Sequence, residues 1–186
     1  MRNVLSYVAA GVVLFGVLGC GGMWTMNTSS EKPSPQASDD KATLVIMRTT
    51  SYGWAAQISN FLDGKLIGQT KGKCYFITKV DPGKHTVICQ NENVRMHEIN
   101  FEAGKVYYLQ QAIYMGAWSA RTEYDTLNPQ IFEEQKPECE YFVFSPELAK
   151  DEEDAVIDME DAKKERNEQI ADEKEYYAKI DNLKGF

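Results

Sequence analysis

The chain has 186 residues, with 20 basic and 28 acidic side chains and a formal net charge of -8 at pH 7. Such a chain lacks the basic surface that phosphate neutralisation requires, so nucleic acid is not an expected partner. Anionic lipid would not hold it electrostatically either, so membrane attachment has to come from another source.

The first 22 residues supply one. Arg2 and the amino terminus form a short positive region, and Val4 to Leu18 is apolar apart from Ser6 and small glycines. The run suits a signal-peptide core but falls short of the about 20 apolar residues of a membrane span. It ends in Val17-Leu18-Gly19-Cys20, which resembles the lipobox of bacterial lipoprotein signals. The resemblance implies that residues 1–19 are removed and that the Cys20 thiol receives diacylglycerol. Val17 departs from the leucine usual at the head of that box. A single acyl chain holds only marginally, at about 0.8 kcal/mol per buried methylene, whereas the full set of chains on such a cysteine anchors durably. Gly21 stands where an aspartate often signals inner-membrane retention, so the resemblance implies the outer membrane, facing the periplasm. The alternative is an N-terminal transmembrane anchor with an incidental cysteine. Loss of Arg2 with the signal leaves the mature chain one unit more acidic.

Residues 20–41 then read as a lipid-anchored, flexible tether. Serine, proline and charge dominate from Met23 to Lys41, with little to bury.

Residues 42–145 read as one β domain. Thr43–Met47, Gln57–Leu62, Lys65–Thr70, Cys74–Val80, His85–Gln90, Val94–Phe101 and Val106–Met115 are short β-rich runs separated by turn residues. Asp63-Gly64 is a hairpin signal, and Asp81-Pro82-Gly83-Lys84 is a turn in which proline presets φ and glycine takes a positive one. Cys74, Phe76, Thr78 and Val80 share one face of their strand, and Tyr75, Ile77 and Lys79 share the other. The expected fold is mainly β: an antiparallel β-sandwich of about seven strands, followed by a long C-terminal α-helix. No alternating helix pattern points to a doubly wound sheet.

The order Asp63-Gly64-Lys65-x-x-Gly68, then Pro82-Gly83-Lys84-His85, then Gly104-Lys105-Val106-Tyr107-Tyr108 resembles a family of uncharacterised bacterial lipoprotein domains. The same punctuation occurs in PEGA-like and carboxypeptidase-regulatory-like sandwiches. The resemblance covers about residues 42–134 and implies a small β-sandwich of unknown function without assigned catalysis.

Beyond the strands, Asn128-Pro129 predicts a short helix with an asparagine cap. Tyr141–Phe144 is a further apolar run, either an edge strand or a packing segment. Ser145-Pro146 is a second cap-plus-proline start, and no glycine or proline interrupts Glu147 to Leu183. Residues 146–186 are therefore expected as an acidic C-terminal helix ending near Gly185, with a narrow apolar stripe.

Four cysteines are present. With Cys20 lipidated, Cys74, Cys89 and Cys139 remain, and an oxidising compartment permits one bond. Cys74 and Cys89 flank the Asp81–Lys84 turn, which makes them a candidate pair. A bond to Cys139 and three free thiols are the alternatives. No Cys-x-x-Cys spacing occurs and His85 and His97 stand apart, so no metal and no cofactor is expected. Trp54, Tyr107, Tyr108, Tyr114 and Trp118 could line a glycan or peptide surface, although sandwich core is the more common use of such residues. Glu123 and Asp125 could imitate an acid pair, but no serine or histidine partner is in view. His85 is expected to make a local hydrogen bond.

The functional expectation is a membrane-anchored, non-catalytic binding or envelope-structural module. Its partners would be the membrane, through the lipid, and an envelope protein or glycan. Two other classes stand beside it: an adaptor whose acidic helix docks a partner protein, and an enzyme acting on glycan or peptidoglycan.

Overall fold

The computed structural model describes residues 24–115, 120–149 and 156–186. Ten strands are found among them: β1 (Met26–Ser29), β2 (Ala42–Arg48), β3 (Ile58–Leu62), β4 (Lys65–Thr70), β5 (Cys74–Val80), β6 (Gly83–Gln90), β7 (Val94–Phe101), β8 (Val106–Met115), β9 (Ala120–Thr126) and β10 (Glu140–Phe144). They form a six-stranded sheet in the order β1-β10-β5-β2-β8-β9 and a four-stranded sheet in the order β4-β3-β6-β7. The architecture is sandwich-like and mainly β, with ten strands where about seven were expected. It is also not purely antiparallel, because β2 pairs with β8 and β10 with β5 in parallel. The chain changes sheets after β2, returns for β5, and leaves again for β6 and β7. Neighbours within the six-stranded sheet therefore come from distant parts of the sequence.

The alternation read on β5 is used as expected. Cys74, Phe76 and Val80 enter the core between the sheets, beside Leu44, Ile46, Ile58, Val87, Ile99 and Leu109. Tyr75 faces outward and packs with Val45, Met47, Tyr108 and Phe132. Phe132 belongs to helix α1 (Pro129–Gln135), whose Asn128 cap accepts from the Gln130 amide at 2.8 Å. The helix thus covers the outer face of the six-stranded sheet. Helix α2 (Met159–Asp172) covers the outer face of the four-stranded sheet, where Ala162 and Met159 pack with Phe61, Leu66, Ile88 and Met96. Helix α3 (Lys174–Asp181) closes the open side between β7 and β9, burying Tyr177 and Ile180.

Three expectations need correction. The Asp63-Gly64 hairpin is present, with both residues at positive φ (49° and 81°) between the paired Leu62 and Lys65. The Asp81-Pro82 link, by contrast, is a corner between sheets, since β5 and β6 lie in different sheets. The strand adjacency behind a Cys74–Cys89 bond is therefore missing, and Cys74, Cys89 and Cys139 are free and buried. Residues 24–41 are not a loose tether. β1 pairs with β10 from Met26↔Phe144 to Ser29↔Tyr141, the Tyr75 hydroxyl donates to the Pro33 carbonyl at 3.0 Å, and the Thr43 hydroxyl donates to the Gln36 carbonyl at 2.7 Å. Short polar side chains suffice there because backbone bonding to the sheet edge does the holding.

The long helix is also shorter than expected and divided. Residues 146–148 form only a turn, and residue 156 bridges Lys65 in extended form. The Ile157 amide donates to the Gly64 carbonyl at 3.0 Å, which pins this stretch to the β3–β4 hairpin and postpones the helix to the Asp158 cap. At Glu173 the backbone departs from helix (φ -122°, ψ 37°), and the break turns α3 so that its aromatic side meets β7 and β9.

Candidate functional site

The chemistry-bearing side chains gather in three places. The first lies inside the sandwich. Thr70 donates to Gln111 Oε1, Gln111 Nε2 donates to Asn60 Oδ1 at 2.8 Å, and the Tyr124 hydroxyl donates to the same oxygen at 2.6 Å. All four side chains are buried. A buried polar group costs stability unless bonded, and these satisfy one another across the two sheets. The network fixes the alignment of the sheets and offers nothing to a ligand.

The second place is the seam under α3. On β7, Arg95, His97, Ile99 and Phe101 point to one side, so a cation and an imidazole face inward beside core residues. His97 is fully buried. Its Nδ1 lies 3.2 Å from Asp181 Oδ1 and its Nε2 lies 3.2 Å from the Tyr176 hydroxyl. The Tyr124 amide donates to that hydroxyl at 3.1 Å, which leaves the hydroxyl proton for Nε2. The network thus assigns the proton on the neutral ring to Nδ1, directed at Asp181. Burial lowers the His97 pKa, with Arg166 and Arg95 acting in the same direction and Asp181 opposing them. Burial alone would raise the Asp181 carboxyl. His97, Arg166 and the Glu98 amide outweigh it and hold the carboxyl below its ordinary value. Arg166 Nη2 sits 2.7 Å from Asp181 Oδ2.

Beside this pair, Arg95 meets Glu173 through two contacts, 2.9 Å and 3.1 Å, and lies 5.4 Å from the Tyr176 ring centre. Only the Nη2 contact is a hydrogen bond; Nη1 is near the carboxylate without one, so the pair is a single charge-assisted bond plus an ion-pair contact. The seam resembles part of a catalytic triad only in composition. His97 is hydrogen-bonded to no serine, threonine or cysteine, and both ring nitrogens are occupied. Its role is to clasp α3 to the sandwich. At the end of the seam a groove of about 300 Å³ opens between Glu92, Asn93, Arg121 and Gln169. Its polar groups are largely spent on backbone: Glu92 accepts from the Ala120 amide at 2.6 Å, and Asn93 Oδ1 accepts from the Thr122 amide at 2.7 Å.

The third place is the loop 49–57, between β2 and β3. Arg48 is fully buried, yet no carboxylate faces it. Its Nη1 donates to the Ala56 carbonyl at 3.0 Å, and its Nη2 donates to the carbonyls of Tyr52 and Gly53 at 2.6 and 2.8 Å. Burial lowers its pKa. The guanidinium thus serves as a rigid template for a loop that raises Tyr52 and Trp54 into solvent, at 55% and 68% exposure.

The residues singled out in sequence are not assembled into one surface. Trp54 stands at the loop tip, Tyr107 is in the core, and Tyr108 is buried beneath α1. Tyr114 is half-buried, with its hydroxyl 3.4 Å from Glu123 Oε2. Trp118 and Cys20 lie outside the described residues. Glu123 and Asp125 stand in different surroundings. Burial raises the Glu123 carboxyl, while exposed Asp125 meets Lys179 at 2.5 Å. His85 was expected to bond locally beside its turn, but its partner is Asp63 of the β3–β4 hairpin, 22 residues earlier, at 2.5 Å. No group of three or more histidine, cysteine or acidic residues that could hold a metal ion occurs among the described residues.

Sequence reasoning missed Arg48, Arg95 and the partners of His97. The available signal was strand register: in Val94–Phe101 a basic residue and a histidine share the inward face with Ile99 and Phe101, and inward polar groups require partners.

These features define a mainly β, two-sheet domain whose buried polar groups hold its parts together. Residues 38–123 match the model of a family described as "Protein of unknown function (DUF2846)". The match runs from the approach to β2 into β9 and leaves out β1, β10 and the three helices. No curated protein and no solved structure matches the chain.

Proposed function

We propose that the chain is a lipid-anchored lipoprotein of the bacterial envelope, built on a PEGA-like sandwich and acting as a non-catalytic binding or structural module. It is tied through Cys20 to the outer membrane and faces the periplasm. The observation that carries this reading is the position of Trp24. Four residues after Cys20 the chain is already part of the domain: the Trp24 ring meets Phe142 edge-on at 5.1 Å, and the Thr25 amide donates to Gln69 at 2.8 Å. A lipid on Cys20 would therefore position a rigid body instead of a loosely leashed one. The use of the inward polar groups as clasps supports a structural role over catalysis. Metabolic labelling with a palmitate analogue tests the anchor. Label is expected in the native protein and absent from Cys20→Ser, whereas equal labelling of both overturns the reading.

The adaptor reading keeps one supporting observation. The outward side of α2 is charged and open, with a shallow groove at Glu160, Lys163, Lys164 and Glu168. Removal of residues 147–186 is not a clean test of it, because Ala162, Tyr177 and Ile180 are buried against the sandwich. Charge reversal at Glu160 and Glu168 is the better test. Loss of a crosslinked partner would support docking by α2, and retention would count against it.

A further inference from the structure

The loop 49–57 and the turn 71–73 lie side by side at one end of the sandwich. Arg48, before the loop, pairs with Cys74, after the turn. Ile58, after the loop, pairs with Thr70, before the turn. The described chain begins beside β4 near this end, although β1 itself runs toward the turn, from Met26 opposite Phe144 to Ser29 opposite Tyr141. Thr25 donates through both its amide and its hydroxyl to Gln69 Oε1, at 2.8 and 2.9 Å, and Gln69 Nε2 donates to Ser59 at 3.2 Å. Gln69 and Ser59 are the immediate neighbours of Thr70 and Ile58.

The end has a distinctive chemistry. Residues 49–57 carry no charge in a chain of net charge -8, and they present Tyr52 and Trp54 outward. The adjoining turn adds Lys71, which is exposed, and Lys73, which meets Glu138 at 2.6 Å. Acidic groups lie at this end too: Glu138 and exposed Glu140 stand beside the turn and balance its two lysines, and Glu92, Glu165 and Glu173 border the groove beside β7. The loop is also held in shape. The Ala56 amide donates to the Gly53 carbonyl at 2.8 Å, Arg48 grips three loop carbonyls, and a Cβ on Gly53 would lie 3.2 Å from Ile113. A preformed aromatic tip loses little conformational freedom when it binds.

We propose that the Tyr52–Trp54 loop is a second membrane contact, seating its two rings in the headgroup region of the leaflet that holds the Cys20 lipid. The inference rests on the lipid-anchor reading. Four residue steps separate Cys20 from Trp24, at most about 14 Å of extended chain, so the anchor keeps the Thr25–Gln69 contact, one residue from the strand end at Thr70, near the bilayer. Tyrosine and tryptophan favour that depth because one part of each ring system is apolar and another is wet. The uncharged loop carries no carboxylate that would oppose its approach to a headgroup layer, so the contact is carried by the two rings and not by charge. The lipid and the loop together would fix the orientation of the domain, which a single attachment point cannot do.

The test uses the full chain, purified from cell membranes and reconstituted into phosphatidylethanolamine–phosphatidylglycerol vesicles with brominated acyl chains. Bromine quenching of tryptophan emission is compared for the native protein, Trp54→Phe and Trp24→Phe. Because Trp54 is exposed, its replacement should leave the circular dichroism unchanged. The expected result is a loss of at least half of the quenchable emission in Trp54→Phe and a smaller loss in Trp24→Phe. Mass spectrometry of the Cys20 peptide from the same preparation separates the two ideas. A lipidated Cys20 with the same quenching in Trp54→Phe as in the native protein overturns the membrane contact alone and leaves the loop to a protein or glycan. An unmodified Cys20 overturns the anchor and this inference with it.

Discussion

Replacing Arg48 with methionine tests whether a buried cation holds the aromatic loop. The native guanidinium makes three hydrogen bonds to loop carbonyls and is fully buried, so solvent does not screen them. Bonds from a charged donor contribute about 1.5–3 kcal/mol each in net terms. Two offsets reduce the sum. The Tyr52 and Gly53 carbonyls belong to an exposed turn and can return to water once released. Methionine also fills much of the aliphatic volume and removes the cost of burying a charge whose Nε has no partner. The loss should come to about 2–4 kcal/mol. Urea denaturation should show it as a lower midpoint at unchanged slope, and amide exchange at residues 52–56 should quicken. Arg48→Lys should recover less than half, since a point charge cannot serve three carbonyls arranged for a planar fork. Unchanged exchange at residues 52–56 in Arg48→Met, with a stability change below about 0.5 kcal/mol, would refute the argument.

Other expectations follow from single contacts. The His97 pKa is lowered by folding, so the unfolded chain takes up its proton first as pH falls below about 6.5, and stability should decline from there toward the lower folded value. Asp181, also lowered, adds stability above its unfolded pKa that is lost as pH falls through the folded one, so both groups weaken the α3 seam in acid. His97→Gln should remove the first phase from a stability–pH curve, and persistence of that phase would assign it elsewhere. Gly68→Ala would place a Cβ 2.9 Å from the buried Phe76 ring and should cost about 1–3 kcal/mol in urea titration, relieved by Phe76→Leu. Burial pushes the Cys74 and Cys89 thiols up to about 12, so alkylation near pH 8 should spare both until denaturant is added. Phe132→Ala should cost about 3–5 kcal/mol, because the ring is fully buried under Tyr75 and Tyr108 and alone carries the packing of α1 onto the sheet.

What was legible in sequence was the local structure. Period-two alternation in Cys74–Val80, the Asp63-Gly64 turn and the Asn128 cap each depend on neighbours a few residues away, and each is found as read. The sheet to which a strand belongs is not local. Asp81-Pro82 reads as a hairpin turn, yet β5 and β6 separate there because β5 is paired on one side by β2 and on the other by β10. β1 could not be read because its residues, Met-Asn-Thr-Ser, bury one side chain and are held by backbone pairing to a strand more than a hundred positions later. The break at Glu173 has no glycine or proline to announce it. It follows from where Tyr176, Tyr177 and Ile180 find their partners. For the candidate site, the aromatic types were visible but not their burial. Arg48 could not be told from a surface arginine, since its acceptors are carbonyls and carry no residue signature.

The two edges of the sandwich are closed by segments from opposite ends of the described chain. β1 cannot pair until residues 141–144 exist, and the seam at His97 stays open until residues 176–181 do. Such long loops must be brought together before their contacts repay the entropy, which slows folding. A partly synthesised chain of this design would remain open at both edges.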